Sequence, residues 1–223
     1  MERSARILAT KKLQPNQRQY LLNAGLSVTE ADFIGIRYKP FKAEGIKGNL
    51  IFTSQNGFKA FLENNESDRY KDRKIFCVGQ KTRDGIVSEG YNVIAFSDYA
   101  EELSAIIIQD FANENFTFLS GNIRRDTLPE ALKKAGIVFN EIEVYETVLT
   151  PHKITSPVDG LLFFSPSGVV SYLKENNITN QVCFCIGTTT AQALQNVTEN
   201  IIVANKPSIE NVIIQCINYY KNY

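Results

Sequence analysis

Ile51-Phe52-Thr53-Ser54-Gln55-Asn56-Gly57 reappears as Leu162-Phe163-Phe164-Ser165-Pro166-Ser167-Gly168, each residue 111 positions beyond its counterpart. Both stretches run from a strand-like apolar segment into polar residues and a glycine, the composition of a turn that opens a helix. The same register holds further out. Ala24-Gly25-Leu26-Ser27-Val28-Thr29-Glu30 returns as Ala135-Gly136-Ile137-Val138-Phe139-Asn140-Glu141, again 111 residues on. Cys77-Val78-Gly79-Gln80-Lys81-Thr82 returns as Cys185-Ile186-Gly187-Thr188-Thr189-Thr190, 108 residues on. Three matches in nearly one register imply two similar halves, each near the common domain size. A cleft between two similar domains is the first place to expect a site.

Strand-like runs at Ala5–Thr10, Glu30–Tyr38, Leu50–Ser54, Ile75–Gly79, Asn92–Ser97, Phe116–Ser120, Glu141–Val148, Gly160–Ser165, Val182–Gly187 and Ile201–Ala204 alternate with helical patterns. The helices are expected at Asn16–Ala24, Phe58–Asn64, Thr82–Glu89, Ala100–Ala112, Leu128–Ala135, Val169–Asn176, Thr189–Asn196 and Ile209–Tyr220. Asp98-Tyr99-Ala100-Glu101 and Thr127-Leu128-Pro129-Glu130 read as capping boxes, Ser208 as an N-cap, and Gly25, Gly90 and Gly136 as helix ends. Short apolar strands alternating with helices predict an α/β fold with parallel sheets covered on both faces. The order is X-Y-X-Y, where X is strand–helix–strand and Y the longer remainder. Each domain is either contiguous, or the middle Y-X forms one domain while the outer X and Y form the other. Periodicity leaves both open, with connecting segments near Gly35–Pro40 and Val144–Pro151.

Lys plus Arg and Asp plus Glu both number 24, so the net charge is zero, which argues against a broad nucleic-acid footprint. No apolar run reaches the roughly 18 residues of a membrane span. The start, Met1-Glu2-Arg3-Ser4, leads directly into a strand-like run, so no signal peptide is expected. Cys77, Cys183, Cys185 and Cys216 lie in apolar runs, and there is one histidine. Buried thiols in a reducing cytosol are expected, with Cys183 and Cys185 facing one side of a strand, and no metal site.

Parallel sheets bind ligands beyond the carboxyl ends of their strands. That rule selects Thr10-Lys11-Lys12, Thr53-Ser54-Gln55-Asn56-Gly57, Gly79-Gln80-Lys81-Thr82, Ser120-Gly121-Asn122, Ser165-Pro166-Ser167-Gly168 and Gly187-Thr188-Thr189-Thr190. Hydroxyls and backbone N–H groups at helix starts suit anions without net positive charge, although any one such turn is equally a helix cap. Arg124-Arg125 reads either as a carboxylate clamp or as a solvated turn. Neither a Gly-x-Gly-x-x-Gly fingerprint nor a phosphate loop ending in Gly-Lys-Ser/Thr occurs, so a nucleotide cofactor is not expected. His152 stands in a connecting segment with no nucleophile motif beside it. Tyr145 reads either as a buried strand aromatic or as a proton donor in the cleft, since an ordinary phenol is protonated at neutral pH.

Phe118-Leu119-Ser120-Gly121-Asn122-Ile123-Arg124-Arg125-Asp126-Thr127-Leu128-Pro129-Glu130-Ala131-Leu132, then Val144-Tyr145-Glu146-Thr147-Val148, Phe163-Phe164-Ser165-Pro166-Ser167-Gly168 and Ile186-Gly187-Thr188-Thr189-Thr190-Ala191-Gln192-Ala193-Leu194, form a succession that resembles the uroporphyrinogen-III synthase family. The resemblance runs from about Leu50 to the end, and the first 45 residues share only its layout. It implies two similar doubly wound, flavodoxin-like domains joined by a two-stranded linker, with a cleft between them. Residues 1–34 and 151–223 would form one domain, 41–143 the other, and 35–40 and 144–150 the linker. It also implies the linear tetrapyrrole hydroxymethylbilane as substrate, handed over transiently from the upstream deaminase. No cofactor, metal, nucleic acid or membrane is implied, and the protein is expected to be a cytoplasmic monomer.

By the same resemblance Tyr145 assists departure of the substrate hydroxyl. Thr82, Ser165, Ser167, Thr188 and Thr189, with the backbone of Gly79, Gly168 and Gly187, contact its carboxylates. Thr53, Ser54, Gly121, Asn122 and Arg125 join them as strand-end binding residues, and Lys11 and Lys12 fall in the poorly matched start. Two other functions fit the pattern: a non-catalytic sensor for a carboxylated ligand, and a transferase using the helix-end anion sites.

Overall fold

A computed structural model describes residues 4–221. In chain order the elements begin with β1 (Arg6–Ala9), α1 (Pro15–Asn23), β2 (Ser27–Glu30) and β3 (Ile34–Tyr38). There follow β4 (Asn49–Phe52), α2 (Gln55–Leu62), β5 (Ile75–Val78), α3 (Gln80–Ser88), β6 (Val93–Ser97), α4 (Ala100–Asp110), β7 (Asn115–Gly121), α5 (Thr127–Lys134) and β8 (Val138–Leu149). The chain ends with β9 (Gly160–Phe163), α6 (Pro166–Leu173), β10 (Val182–Cys185), α7 (Thr188–Gln192), β11 (Ile201–Val203) and α8 (Ile209–Lys221). Two compact units result. Unit 1 comprises Met1–Gly35 and Val148–Tyr223, and unit 2 comprises Ile36–Thr147.

Unit 2 carries a sheet in the order β3-β8-β7-β4-β5-β6. Its strands β8, β7, β4, β5 and β6 run parallel, and counted from β4 they lie in the order 3-2-1-4-5. Unit 1 carries five parallel strands in the order β11-β10-β9-β1-β2. Counted from β9 through β11 and then from β1 to β2, these also read 3-2-1-4-5. The two units therefore share one architecture whose starting points in the chain differ.

Strand periodicity places alternate residues on opposite faces. In β4, Leu50 and Phe52 join Phe58 and Phe61 of α2 and Ile86 of α3. Ile51 points the other way, to Leu103 and Ile107 of α4 and Leu128 and Leu132 of α5. In unit 1, Ile7 and Ala9 meet Leu21 of α1 and Val212, Ile213 and Cys216 of α8. Leu8 faces Val169 and Tyr172 of α6 and Leu194. Each fully buried Leu, Ile or Phe stabilises its unit by about 1.5 to 3 kcal/mol. The four cysteines are free and buried, with Cys183 and Cys185 in one cluster as their spacing predicts. Burial pushes the thiols of Cys77, Cys183, Cys185 and Cys216 up to about 12, which leaves them unreactive at neutral pH.

Several local expectations need correction. The run Glu30–Tyr38 is not one strand. β2 ends at Glu30, the Asp32 carboxylate accepts the Lys12 N–H at 2.8 Å, and Phe33 turns into the core of unit 1 before β3 begins. The two capping boxes do not form. The N-cap of α4 is Tyr99 and that of α5 is Asp126, neither with a side-chain cap bond. The Asp126 carboxylate pairs with Arg124 instead. Ser208 does cap α8, its Oγ accepting the Asn211 N–H at 3.2 Å. α2, α3 and α6 begin two or three residues earlier than expected, so the polar strand-end segments are first helical turns rather than loops.

Two contacts carry testable consequences. Gly48 has φ +71°, and an added Cβ would lie 2.6 Å from the Asn115 carbonyl carbon. Gly48→Ala should lower the unfolding free energy by about 1–3 kcal/mol, read from urea denaturation. In unit 1, Arg6 Nε and Nη2 each donate to the Asp159 carboxylate at 3.1 Å, and the Arg6 backbone N–H adds a bond of 2.8 Å. These bonds join the amino-terminal segment to the start of β9, and the Arg6 guanidinium holds the Asp159 carboxyl below the usual carboxylate range. The stabilisation is present above the unfolded aspartate value of about 3.9 and is lost as pH falls through the lowered folded value. Asp159→Asn should therefore melt below the parent protein at pH 7, with the gap closing as the pH falls through the lowered folded value.

Candidate functional site

In unit 2, β4 and β7 are neighbours, but the chain leaves them toward opposite faces, through α2 and α5. That divergence is the topological switch point at which α/β sheets hold ligands. A cavity of about 290 Å³ opens there, lined by Thr53 and Ser54 after β4, Val78 of β5, Asp98 to Glu101 after β6, Ile123 to Arg125, Thr127 and Leu128 after β7, and Tyr145 of β8.

Tyr145 reaches the cavity through a slip in register. Along β7 and β8 the pairs run Asn115 with Val138 to Ser120 with Glu143, and then Gly121 pairs with Tyr145. The extra residue, Val144, is a bulge of the kind that re-aims a side chain beside a site. The phenol then lies across Gly121, where an added Cβ would sit 2.8 Å from Tyr145 Oη. Only glycine leaves room for the ring. Tyr145 is 8% exposed. Its hydroxyl stands 2.9 Å from Ser54 Oγ, and Ser54 caps α2 by accepting the Gly57 N–H at 3.1 Å. Asn122 fixes the β8 backbone on either side: its N–H donates to the Tyr145 carbonyl at 3.2 Å, and its Oδ1 accepts the Thr147 N–H at 2.8 Å.

The two arginines differ. Arg124 Nη2 donates to Glu141 at 2.8 Å, and Arg124 also pairs with Asp126. Hydrogen bonding to Glu141 raises the Arg124 pKa above the ordinary guanidinium value. Burial alone would raise the Glu141 carboxyl, but the bonds from Arg124 and Ser120 outweigh it and bring it below the usual range. Arg125 lines the cavity, is exposed, and has no carboxylate partner among the described residues. It is the arginine at this site able to take a ligand carboxylate.

Thr53, Ser54, Arg125 and Tyr145 thus come together, with Gly121 and Asn122 supporting the phenol. Gly79 precedes α3, and buried Thr82 borders a separate hollow between α2 and α3 that Phe58 and Lys59 also line. Ser165, Ser167, Gly168, Gly187, Thr188 and Thr189 stand at the corresponding strand ends of unit 1. There Ser165 caps α6 through the Gly168 N–H at 3.0 Å and meets Ser167 Oγ at 3.2 Å. Lys11 and Lys12 follow β1 in unit 1. His152 is also in unit 1, its Nε2 2.9 Å from the Asp32 carbonyl and its ring edge-on to Phe33, which is a packing role. Sequence reasoning passed over Asp98, Tyr99 and Ile123. The last two are 64% and 59% exposed although apolar in body. The strand-end rule applied to β6 would have selected Asp98 and Tyr99, which were read only as a helix cap.

A family model described as uroporphyrinogen-III synthase HemD matches residues 18–214. The uroporphyrinogen-III synthase of Chlorobaculum parvum is 25% identical over 169 residues, 66% of this chain and 68% of that protein. Among solved structures, the uroporphyrinogen-III synthetase of Helicobacter pylori is similar with a TM-score of 0.76 at 19% identity, covering 96% of this chain and 99% of that one. A mutant uroporphyrinogen III synthase of Thermus thermophilus is similar with a TM-score of 0.66 at 14% identity, covering 99% and 100%. Matched over most of its length, the chain belongs to the uroporphyrinogen-III synthase family of tetrapyrrole biosynthesis.

Proposed function

We propose that the protein cyclises hydroxymethylbilane to uroporphyrinogen III with inversion of the terminal pyrrole ring and loss of one water. The observation that carries this is that Tyr145 and Arg125, which has no carboxylate partner among the described residues, line one switch-point cavity in a chain of this family. Tyr145 gives its proton to the departing hydroxyl, the C–O bond breaks with release of water, and an azafulvenium cation remains beside the Tyr145 phenolate. The substituted carbon of the far pyrrole attacks that cation to form a spiro-pyrrolenine. The spiro ring fragments and recombines inverted, and the proton lost from carbon at closure returns to the Tyr145 phenolate, directly or through water, which cancels both charges.

The cavity volume, about 290 Å³, lies just below the roughly 300–1,000 Å³ that holds drug-sized ligands. It suits one pyrrole with its acid arms rather than four. We assign it to the ring bearing the leaving hydroxyl, with Arg125 pairing a carboxylate. The hydroxyls of Thr53, Thr82, Ser165, Ser167, Thr188 and Thr189 and the backbone at Gly79, Gly168 and Gly187 serve the remaining carboxylates. Much of the rate then comes from holding the two chain ends in attack geometry and favouring the folded spiro state. The same proposal takes the enzyme as a cytoplasmic monomer and hydro-lyase that receives substrate from the deaminase.

The test is a product-isomer assay. Hydroxymethylbilane is generated in situ by the deaminase, the protein is added, and the oxidised uroporphyrins are separated. Predominant III isomer is expected. Only the spontaneous I isomer, from folded protein that still binds the bilane, would make it a sensor instead. Tyr145→Phe should slow turnover by about 100- to 10,000-fold yet leave measurable III isomer, and unchanged turnover at saturating substrate would remove Tyr145 from the chemistry. Arg125→Ala should raise KM about tenfold with kcat little changed, in keeping with one exposed charge-assisted bond. A fall in kcat alone would place Arg125 at the reacting atoms instead.

A further inference from the structure

Ser54 has two partners and one proton. Its Oγ accepts the Gly57 N–H at 3.1 Å and lies 2.9 Å from Tyr145 Oη. A serine hydroxyl offers one donor and two lone pairs, and the helix cap uses one lone pair. Between Ser54 and Tyr145 either oxygen can donate. If Tyr145 donated, its single proton would be held by Ser54, itself part of the cavity wall, and would not be available to a ligand. If Ser54 donates, the phenol proton is free to turn toward a ligand.

The repeat supplies a comparison within the same chain. Ser165 occupies the matching N-cap in unit 1 and accepts the Gly168 N–H at 3.0 Å, but its neighbour is Ser167 Oγ at 3.2 Å rather than a phenol. Capping accounts for serine at both positions. The contact with a phenol belongs to Ser54.

We propose that Ser54 is a positioning residue for Tyr145 rather than a substrate contact, an assignment that rests on Tyr145 acting as the acid. The Ser54 hydroxyl donates to Tyr145 Oη, which aims the phenol proton at the substrate oxygen. In the step itself the Tyr145 O–H bond breaks, the new O–H bond forms on the leaving group, and the C–O bond cleaves to release water. Ser54 keeps its own proton throughout and hydrogen-bonds the phenolate left behind. The register slip at Val144 and the bare Gly121 hold the ring where this bond can form.

A double-mutant cycle tests this on the full chain, with kcat and KM for III-isomer formation and thermal unfolding measured for every variant. Ser54→Gly is the principal variant, because glycine replaces serine at an N-cap at a cost of only a few tenths of a kcal/mol. It should lower kcat about tenfold or more while KM moves less than about twofold. Ser54→Thr, which keeps the hydroxyl and the cap, should recover most of the rate. In the Tyr145→Phe background, Ser54→Gly should change kcat by less than about twofold, because the group it orients is already gone. An equal loss in both backgrounds would overturn the proposal and make Ser54 an independent substrate contact. Full activity in Ser54→Gly with loss only in Ser54→Ala would reduce Ser54 to a helix cap. Unchanged kcat in Tyr145→Phe alone would instead remove the acid itself, a failure distinct from either.

Discussion

The site depends on one topological constraint. Two adjacent parallel strands, β4 and β7, must send their following helices to opposite faces of the sheet, so neither of those helices covers the gap between their carboxyl ends. Phe58 and Phe61 anchor α2 on one side, and Leu128 and Leu132 anchor α5 on the other. Hydrophobic burial thus fixes where the opening lies, and polar groups only furnish it. β9 and β1 meet the same condition in unit 1, with α6 and α1 on opposite faces. What distinguishes unit 2 is a phenol brought to the opening by the next strand.

That arrangement explains what could be read from residues alone. The strand and helix succession was legible because short apolar runs and helix-end glycines are local signals. The repeat was legible because both halves keep the same turn chemistry at Ser54 and Ser165, where each serine caps a helix. Strand starts were harder. β2 starts at Ser27 and β8 at Val138, three residues before the expected starts, since polar residues alternate there and blur the pattern. The capping boxes at α4 and α5 failed because a side chain satisfying a short motif can be claimed by a stronger partner, as Asp126 is by Arg124.

At the site, residue types were readable but their pairings were not. Arg124 and Arg125 are equivalent in sequence. Glu141, seventeen residues beyond Arg124, and Asp126 both turn to the first, which leaves the second with no carboxylate partner among the described residues. The bulge at Val144 leaves no mark in the pattern, because Val144 and Tyr145 would both pass as buried strand residues. Yet that single inserted residue decides which side chain faces Gly121.

The discontinuity of unit 1 also bears on biogenesis. A chain made from its amino terminus has all of unit 2 by Thr147, before any residue of the second segment of unit 1 exists. β1 belongs between β2 and β9, so its far edge stays unpaired until Gly160–Phe163 emerge. Domains generally fold as units during synthesis, and open strand edges invite pairing with other chains. The nascent β1–α1–β2 segment must therefore outlast the completion of its neighbour with a buried strand exposed. The order of synthesis thus makes unit 2 complete in sequence while the sheet of unit 1 still lacks its central strand.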